Sequence, residues 1–132
     1  MLPRERLSLS EFHGHLGPYL YVGYRMGKLA LQKLNARGKK LNVLVKSGLA
    51  TPLSCMIDGI QFSTSCTLGK GNISVADEKK AEAIFRGERM LTIVLKESVR
   101  RSIDDSRAED QLVQSLYNMS DKELFEVYGD ES

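Results

Sequence analysis

The stretch that decides the fold is FHGHLGPYLYVGYRMGKLALQKL, residues 12–34. Its first part has two glycines and a proline within six residues, and this density predicts a loop over residues 13–18. Pro18 suits the first position of a helix, since no N–H is needed there. Beyond Pro18, apolar and small residues recur at spacings of three and four. This spacing predicts a helix to about Leu34, ended near Gly38.

The predicted helix carries small residues along one stripe, namely Gly23, Gly27 and Ala30. Such a stripe lets another element pack close against the helix. Apolar or small residues also cover more of the helix than one core-facing stripe requires. We therefore expect two partners, the sheet on one side and a second copy of the chain on the other, in a symmetric homodimer. The alternative is a helix that is buried entirely within one chain.

Strand patterns follow this helix. β-branched and aliphatic residues predict strands over residues 41–49 and 73–75, and a β-hairpin from 81–85 and 90–95. Because strands and helices mix without strict alternation, we predict an α+β fold, with a small antiparallel-containing sheet and mixed helices in one domain over residues 1–132.

Helix-capping residues predict where two of the other helices begin. Thr51 and Pro52 are expected to cap and begin a second helix, which ends at about Ser63. The pattern is again helical from about residue 98. The capping-box residues Ser120–Glu123 then predict a last helix through Val127.

The composition, 42% hydrophobic and 27% charged, is that of an ordinary globular domain. A net charge of +2, spread evenly along the chain, argues against a nucleic-acid partner. The N-terminus lacks the apolar region of a signal peptide, and no apolar run approaches the roughly 20 residues of a membrane span. We expect a cytoplasmic protein without a membrane partner, whose cysteines stay reduced.

The two histidines of the chain, His13 and His15, are separated by one glycine. On extended backbone, residues at i and i+2 point to the same side, so both imidazoles can converge on one ion. Neutral imidazole is a common ligand of zinc, nickel, copper and iron. The alternative is a pair of ordinary polar loop residues.

Of the two cysteines, Cys55 lies near the start of the second predicted helix and Cys66 lies just past its end. Cys55 is a metal ligand or a buried apolar residue. Cys66 is the stronger candidate for ligand or reactive thiol, because Lys70 lies nearby and favours the thiolate. Asp58 follows Cys55 by one helical turn in an apolar setting. It can ligate a metal, orient a histidine, act as a general base, or lie exposed on the helix.

Two stretches together resemble the FmdE family, the E-type subunits of formylmethanofuran dehydrogenase. They are residues 12–18, with Gly23-Tyr24-Arg25 after them, and residues 55–61, with 65–72 after them. The resemblance implies an α+β core domain, commonly a homodimer, with a metal site near the motif histidines and cysteines. It also links the chain to a tungsten or molybdenum enzyme that reduces carbon dioxide onto methanofuran.

Two departures from the family pattern matter. Family members usually have cysteine where this chain has Gly17, so one potential sulfur ligand is missing. Many also carry a C-terminal zinc ribbon, and this chain has no cysteine after Cys66.

Our leading hypothesis is a domain that binds one transition metal, zinc or nickel, through His13, His15, Cys55 and Cys66. The mixture of sulfur and nitrogen ligands argues against magnesium and calcium. One alternative is an enzyme whose metal activates water or a small substrate, with Asp58 or Cys66 as catalytic residue. Others are an accessory protein that docks a redox-enzyme partner, and a metal-free thiol site at Cys66.

Overall fold

The computed structural model describes residues 1–35 and 40–129, which form six α-helices and five strands. The helices are α1 (Pro3–His13), α2 (Pro18–Leu34), α3 (Cys55–Thr64), α4 (Glu97–Asp105), α5 (Glu109–Tyr117) and α6 (Asp121–Leu124). The strands are β1 (Asn42–Val45), β2 (Ile73–Val75), β3 (Glu82–Arg86), β4 (Met90–Leu95) and β5 (Phe125–Gly129). The predicted α+β class is confirmed.

All five strands form one mixed sheet in the order β2-β1-β3-β4-β5. β1 and β2 are parallel, and the other neighbours are antiparallel, including the predicted β3–β4 hairpin. Residues of β1, β3 and β4 are alternately buried and more exposed, so only one face of the sheet packs into the core. β2 and β5 are the two edge strands.

The small residues of α2 pack against α3. A Cβ atom on Gly23 would overlap the backbone carbonyl of Met56, and one on Gly27 would overlap the Ser63 side chain. On α3, Gly59 approaches the α2 backbone equally closely, at Leu20. The stripe is therefore explained within one chain, and the argument for a second copy on α2 was wrong, although the oligomeric state itself stays a prediction.

Pro18 begins α2, as predicted, and Gly17 is the N-cap residue. The loop before α2 is shorter than expected, because His13 is the last residue of α1 and not a loop residue. Gly14, with φ of +121°, ends α1 in a conformation that L side chains rarely adopt. α2 ends at Leu34 with Asn35 in the left-handed region, and Gly38 lies outside the described residues.

Three predicted boundaries were wrong. The first strand covers only Asn42–Val45, and beyond it Ser47 forms just an isolated bridge with Asp77. α3 begins at Cys55, after tight turns in which the Cys55 N–H donates to the Pro52 carbonyl at 3.1 Å. Phe125–Gly129 is not helical but pairs with β4, because its apolar and polar residues alternate with the period of a strand.

The predicted capping box is present at the start of α6, where Ser120 and Glu123 each bond the backbone of the other. No helix in the described residues is long and apolar enough to cross a membrane.

Candidate functional site

A cleft of about 570 Å³ opens between the end of α1, the start of α3 and the edge strand β2. This volume lies within the range of roughly 300–1,000 Å³ that is typical of small-molecule sites. The residues that line the cleft are His13, Leu49, Thr51, Ser54, Cys55, Ile57, Asp58, Gln61, Leu68, Ile73, Ser74 and Val75. Three predicted site residues, His13, Cys55 and Asp58, are therefore brought together here.

His13 and Asp58 form the best-defined polar contact of the cleft. The Asp58 Oδ2 atom lies 2.6 Å from His13 Nδ1, and the side chain of His13 is only 15% exposed. Asp58 also accepts a hydrogen bond from the Gln61 side chain, at 3.3 Å. A carboxylate on Nδ1 fixes the ring orientation and directs the lone pair to Nε2, the arrangement that supports many metal-bound or proton-transferring histidines.

His15 lies near His13, but its side chain is more exposed to solvent. The two ring centroids are 6.1 Å apart, and the His15 side chain is 66% exposed. Two imidazoles that share one tetrahedral zinc have ring centres about 5 Å apart, so the pair is close to that spacing. The His15 Nε2 atom is 3.5 Å from a carboxylate oxygen of Glu109, at the start of α5.

Glu109 was missed by the sequence reasoning. It lies far along the chain from the motifs, on a helix whose packing no local pattern predicts. Its charge acts on Cys55 as well as on His15, so it extends the acidic surroundings of the cleft.

Cys55 is the first residue of α3 and is half-buried. Burial raises the pKa of its thiol above the usual value, and the negative charges of Asp58 and Glu109 raise it further. Cys55 is therefore a neutral thiol at pH 7 unless a cation binds beside it.

Cys66 does not line the cleft. Its side chain is fully buried, and its thiol donates to the Leu41 carbonyl at 3.4 Å. Burial raises the pKa of the Cys66 thiol, although Thr64 and Lys70 act in the opposite direction. Lys70 does favour the thiolate of Cys66, as expected, but desolvation outweighs that charge, so the net shift of the pKa is upward.

The side chains as placed do not form a closed metal cage. Within residues 1–35 and 40–129, no three His, Cys, Asp or Glu side chains are grouped to hold a metal ion. A larger cavity of about 680 Å³, between the end of α2 and strand β5, contains none of the predicted site residues.

The family is decided by a match to the family model described as FmdE, molybdenum formylmethanofuran dehydrogenase operon, over residues 12–126. The chain belongs to the FmdE family. The matched range includes both motif stretches and every residue that lines the cleft.

Two similar proteins are informative. An FmdE-like protein of tungsten formylmethanofuran dehydrogenase type, from Syntrophus aciditrophicus, has the same fold, with a TM-score of 0.65 at 14% identity. That superposition covers 94% of this chain and 68% of the other. A protein of Archaeoglobus fulgidus named probable S-adenosyl-L-methionine-binding protein is 34% identical over 95 residues, 70% of this chain. This chain matches only 24% of the length of that relative.

Proposed function

We propose that the chain is an FmdE-family protein that binds one transition metal ion, zinc or nickel, in the cleft beside His13. The observation that carries the proposal is the contact between Asp58 and His13 Nδ1, at 2.6 Å. It leaves Nε2 as the ligating atom, and this nitrogen makes no hydrogen bond within the described residues.

The remaining ligands are Cys55, which lines the same cleft, and His15. His15 is exposed and held only by a loose contact to Glu109, so its ring can turn toward His13 at little cost. Asp58 then supports the site by orienting His13 and is not itself a ligand. Cys66, buried against the Leu41 carbonyl, is left out of the ligand set.

The proposed ligand atoms match the preferences of zinc and nickel. One sulfur and two imidazoles suit zinc or nickel better than magnesium or calcium, which prefer oxygen ligands. Three protein ligands leave one position open toward the cleft, where the metal would supply a Lewis acid to a bound substrate. A role in one-carbon metabolism is part of the proposal and rests on family membership.

Metal analysis of protein purified without a histidine tag tests the proposal. We expect about one equivalent of metal per chain in the wild type, and none in the His13→Ala variant. Asp58→Asn should keep the fold but weaken metal affinity roughly 10- to 100-fold, because the carboxylate no longer holds the imidazole.

Cys66→Ala is the matched control for Cys55→Ala. The Cys55 variant should lose metal, whereas the Cys66 variant should retain it, since that thiol lies outside the cleft. Circular dichroism must show that both variants remain folded. Full metal content in His13→Ala would refute the proposed site.

A second candidate function is the binding of S-adenosyl-L-methionine or a molecule like it. The cleft is large enough for such a ligand and has apolar walls at Leu49, Ile57 and Leu68. The name of the Archaeoglobus relative supports this candidate. Calorimetric titration with S-adenosyl-L-methionine tests it: saturable heat that is lost in Leu68→Arg would support binding in the cleft, and no heat in the wild type would exclude it.

A further inference from the structure

The cavity of about 680 Å³ lies where the C-terminal end of α2 passes strand β5 and the start of α6. Its volume is within the range of roughly 300–1,000 Å³ that is typical of small-molecule sites. It shares no lining residue with the cleft beside His13. The cavity is therefore a second candidate binding site, to which the metal proposal gives no role.

The walls of this cavity are apolar because β5 presents its core-facing residues there. Phe125 and Val127 lie opposite Leu95 and Ile93 of β4, which are both buried, so these residues share the core face of the sheet. Leu29 of α2 adds a third apolar side chain to the lining. A ligand with an apolar body gains affinity by covering such a surface.

Positive charge accompanies this apolar surface. Lys33 and Lys122 both line the cavity and are exposed, and neither forms an ion pair with any residue in the ranges 1–35 and 40–129. Asp121 also lines the cavity, but its carboxylate lies 2.8 Å from the Arg25 guanidinium, which compensates its charge. The two ammonium groups are left as an excess of positive charge.

Arg89 adds a third cation beside Lys33. A smaller cavity of about 170 Å³ adjoins the first, shares Lys33 and Val127 with it, and is also lined by Arg89. The Arg89 Nη2 atom donates to the Lys33 carbonyl at 2.6 Å, which holds the guanidinium at the end of α2. The other N–H groups of the guanidinium remain able to bond an anion.

We propose that this cavity binds a small organic acid. Its apolar body lies against Leu29, Phe125 and Val127, and its carboxylate or phosphate group is held by Lys33 and Lys122 through charge-assisted hydrogen bonds. An uncharged apolar ligand would leave both ammonium groups unused, and an inorganic anion would leave the apolar walls in water. An acid with an apolar body satisfies both features of the site.

The two sites differ in charge and in place. No Lys or Arg of the described chain lines the cleft beside His13, and the carboxylates of Asp58 and Glu109 act there. α2 begins at Pro18, close to the candidate site, and its 17 residues extend over about 25 Å before the second cavity. An organic anion is therefore attracted to the cavity and not to the cleft, and this inference does not rest on the proposed metal.

Anilinonaphthalene sulfonate is a suitable probe, because it combines an apolar aromatic body with an anionic group and fluoresces when it leaves water. We expect a saturable rise in its fluorescence with the wild-type protein. The affinity should fall as salt is added, because the ammonium groups are exposed and their attraction is screened. Circular dichroism must show a folded protein, since partly unfolded proteins also bind this dye.

Neutralising the lysines tests the place of binding. Lys33→Gln and Lys122→Gln should each weaken binding of the dye about three- to fivefold, and the double variant about tenfold or more. Lys79→Gln is the matched control, since this exposed lysine does not line the cavity. Val127→Phe should also weaken binding, because the larger side chain fills the cavity from the edge strand.

Displacement of the dye tests the class of ligand. Decanoate and decyl phosphate should displace it, whereas decanol and inorganic phosphate should not; the stronger of the two acids shows which anionic group the site prefers. A wild type without saturable fluorescence would overturn the proposal. So would equal affinity in the Lys33→Gln, Lys122→Gln double variant, or displacement by decanol as effective as by both acids, because the site would then not recognise an anion.

Discussion

Replacing Gly59 by alanine should separate the two helices on which the site is built. In an isolated helix, this change stabilises by about 1 kcal/mol. Here the added Cβ would lie well inside 3.0 Å of backbone atoms of α2, at Leu20 and Tyr24, a distance that real Cβ atoms essentially never show. Backbone on both sides cannot rotate away, so the helices must move apart.

The expected cost exceeds the gain in helix propensity. Overpacking of a core costs about 1–3 kcal/mol, and a backbone clash belongs at the upper end of that range. We expect a net loss of about 2 kcal/mol in the free energy of unfolding, which lowers the urea midpoint by about 1 M.

Gly69→Ala is the matched control, since a Cβ at that exposed position meets nothing within 4 Å. Its urea midpoint, measured by circular dichroism, should equal that of the wild type. If Gly59→Ala were as stable as Gly69→Ala, the close contact between α2 and α3 would be refuted.

Three further predictions follow from individual side chains. At pH 8, iodoacetamide should modify Cys55 more slowly than free cysteine and Cys66 only after unfolding, because burial raises the pKa of both thiols; peptide mass spectrometry reads both rates. Arg25→Ala should cost about 2–4 kcal/mol in urea unfolding, and lysine should not restore it, because the largely buried guanidinium bonds several acceptors at once. A hydrogen bond from Tyr24 lowers the pKa of Glu5, so this contribution to stability is present above pH 4.5 and is lost as pH falls through the folded pKa. Stability measured against pH should therefore fall less steeply in acid for Glu5→Gln.

Helices and strands with a regular hydrophobic repeat and a recognisable first residue could be predicted from the sequence. α2 begins at Pro18, where proline fits the first helical position, and the hairpin follows the alternation of β3 and β4. β5 was assigned to a helix because a true capping box at Ser120 precedes it. The box begins a helix but does not set its length, and the pairing of β5 with β4 depends on contacts that are distant in sequence.

The sequence predicted only the part of the candidate site that depends on local spacing. Helical spacing places Asp58 one turn after Cys55, and in the structure both side chains line the cleft. The contact of Asp58 with His13 joins two helices across 45 residues of sequence, so no local pattern reveals it. Burial is likewise a tertiary property, so the sequence showed that Lys70 lies near Cys66 but not that desolvation of the thiol outweighs that charge.

Gly17 shows how the departure from the family pattern acts on this site. A Cβ at position 17 would lie 3.2 Å from His15 Nε2, so a cysteine there would place its sulfur beside that imidazole. A cysteine at position 17 would therefore bring a thiol next to His15, whereas in this chain His15 contacts Glu109. Because Gly17 also serves as the N-cap of α2, Gly17→Cys changes the site without requiring a positive φ, as φ is −105°. His15 is exposed, whereas His13 is fixed by Asp58, so His13 is the ligand on which the proposed metal site would depend most.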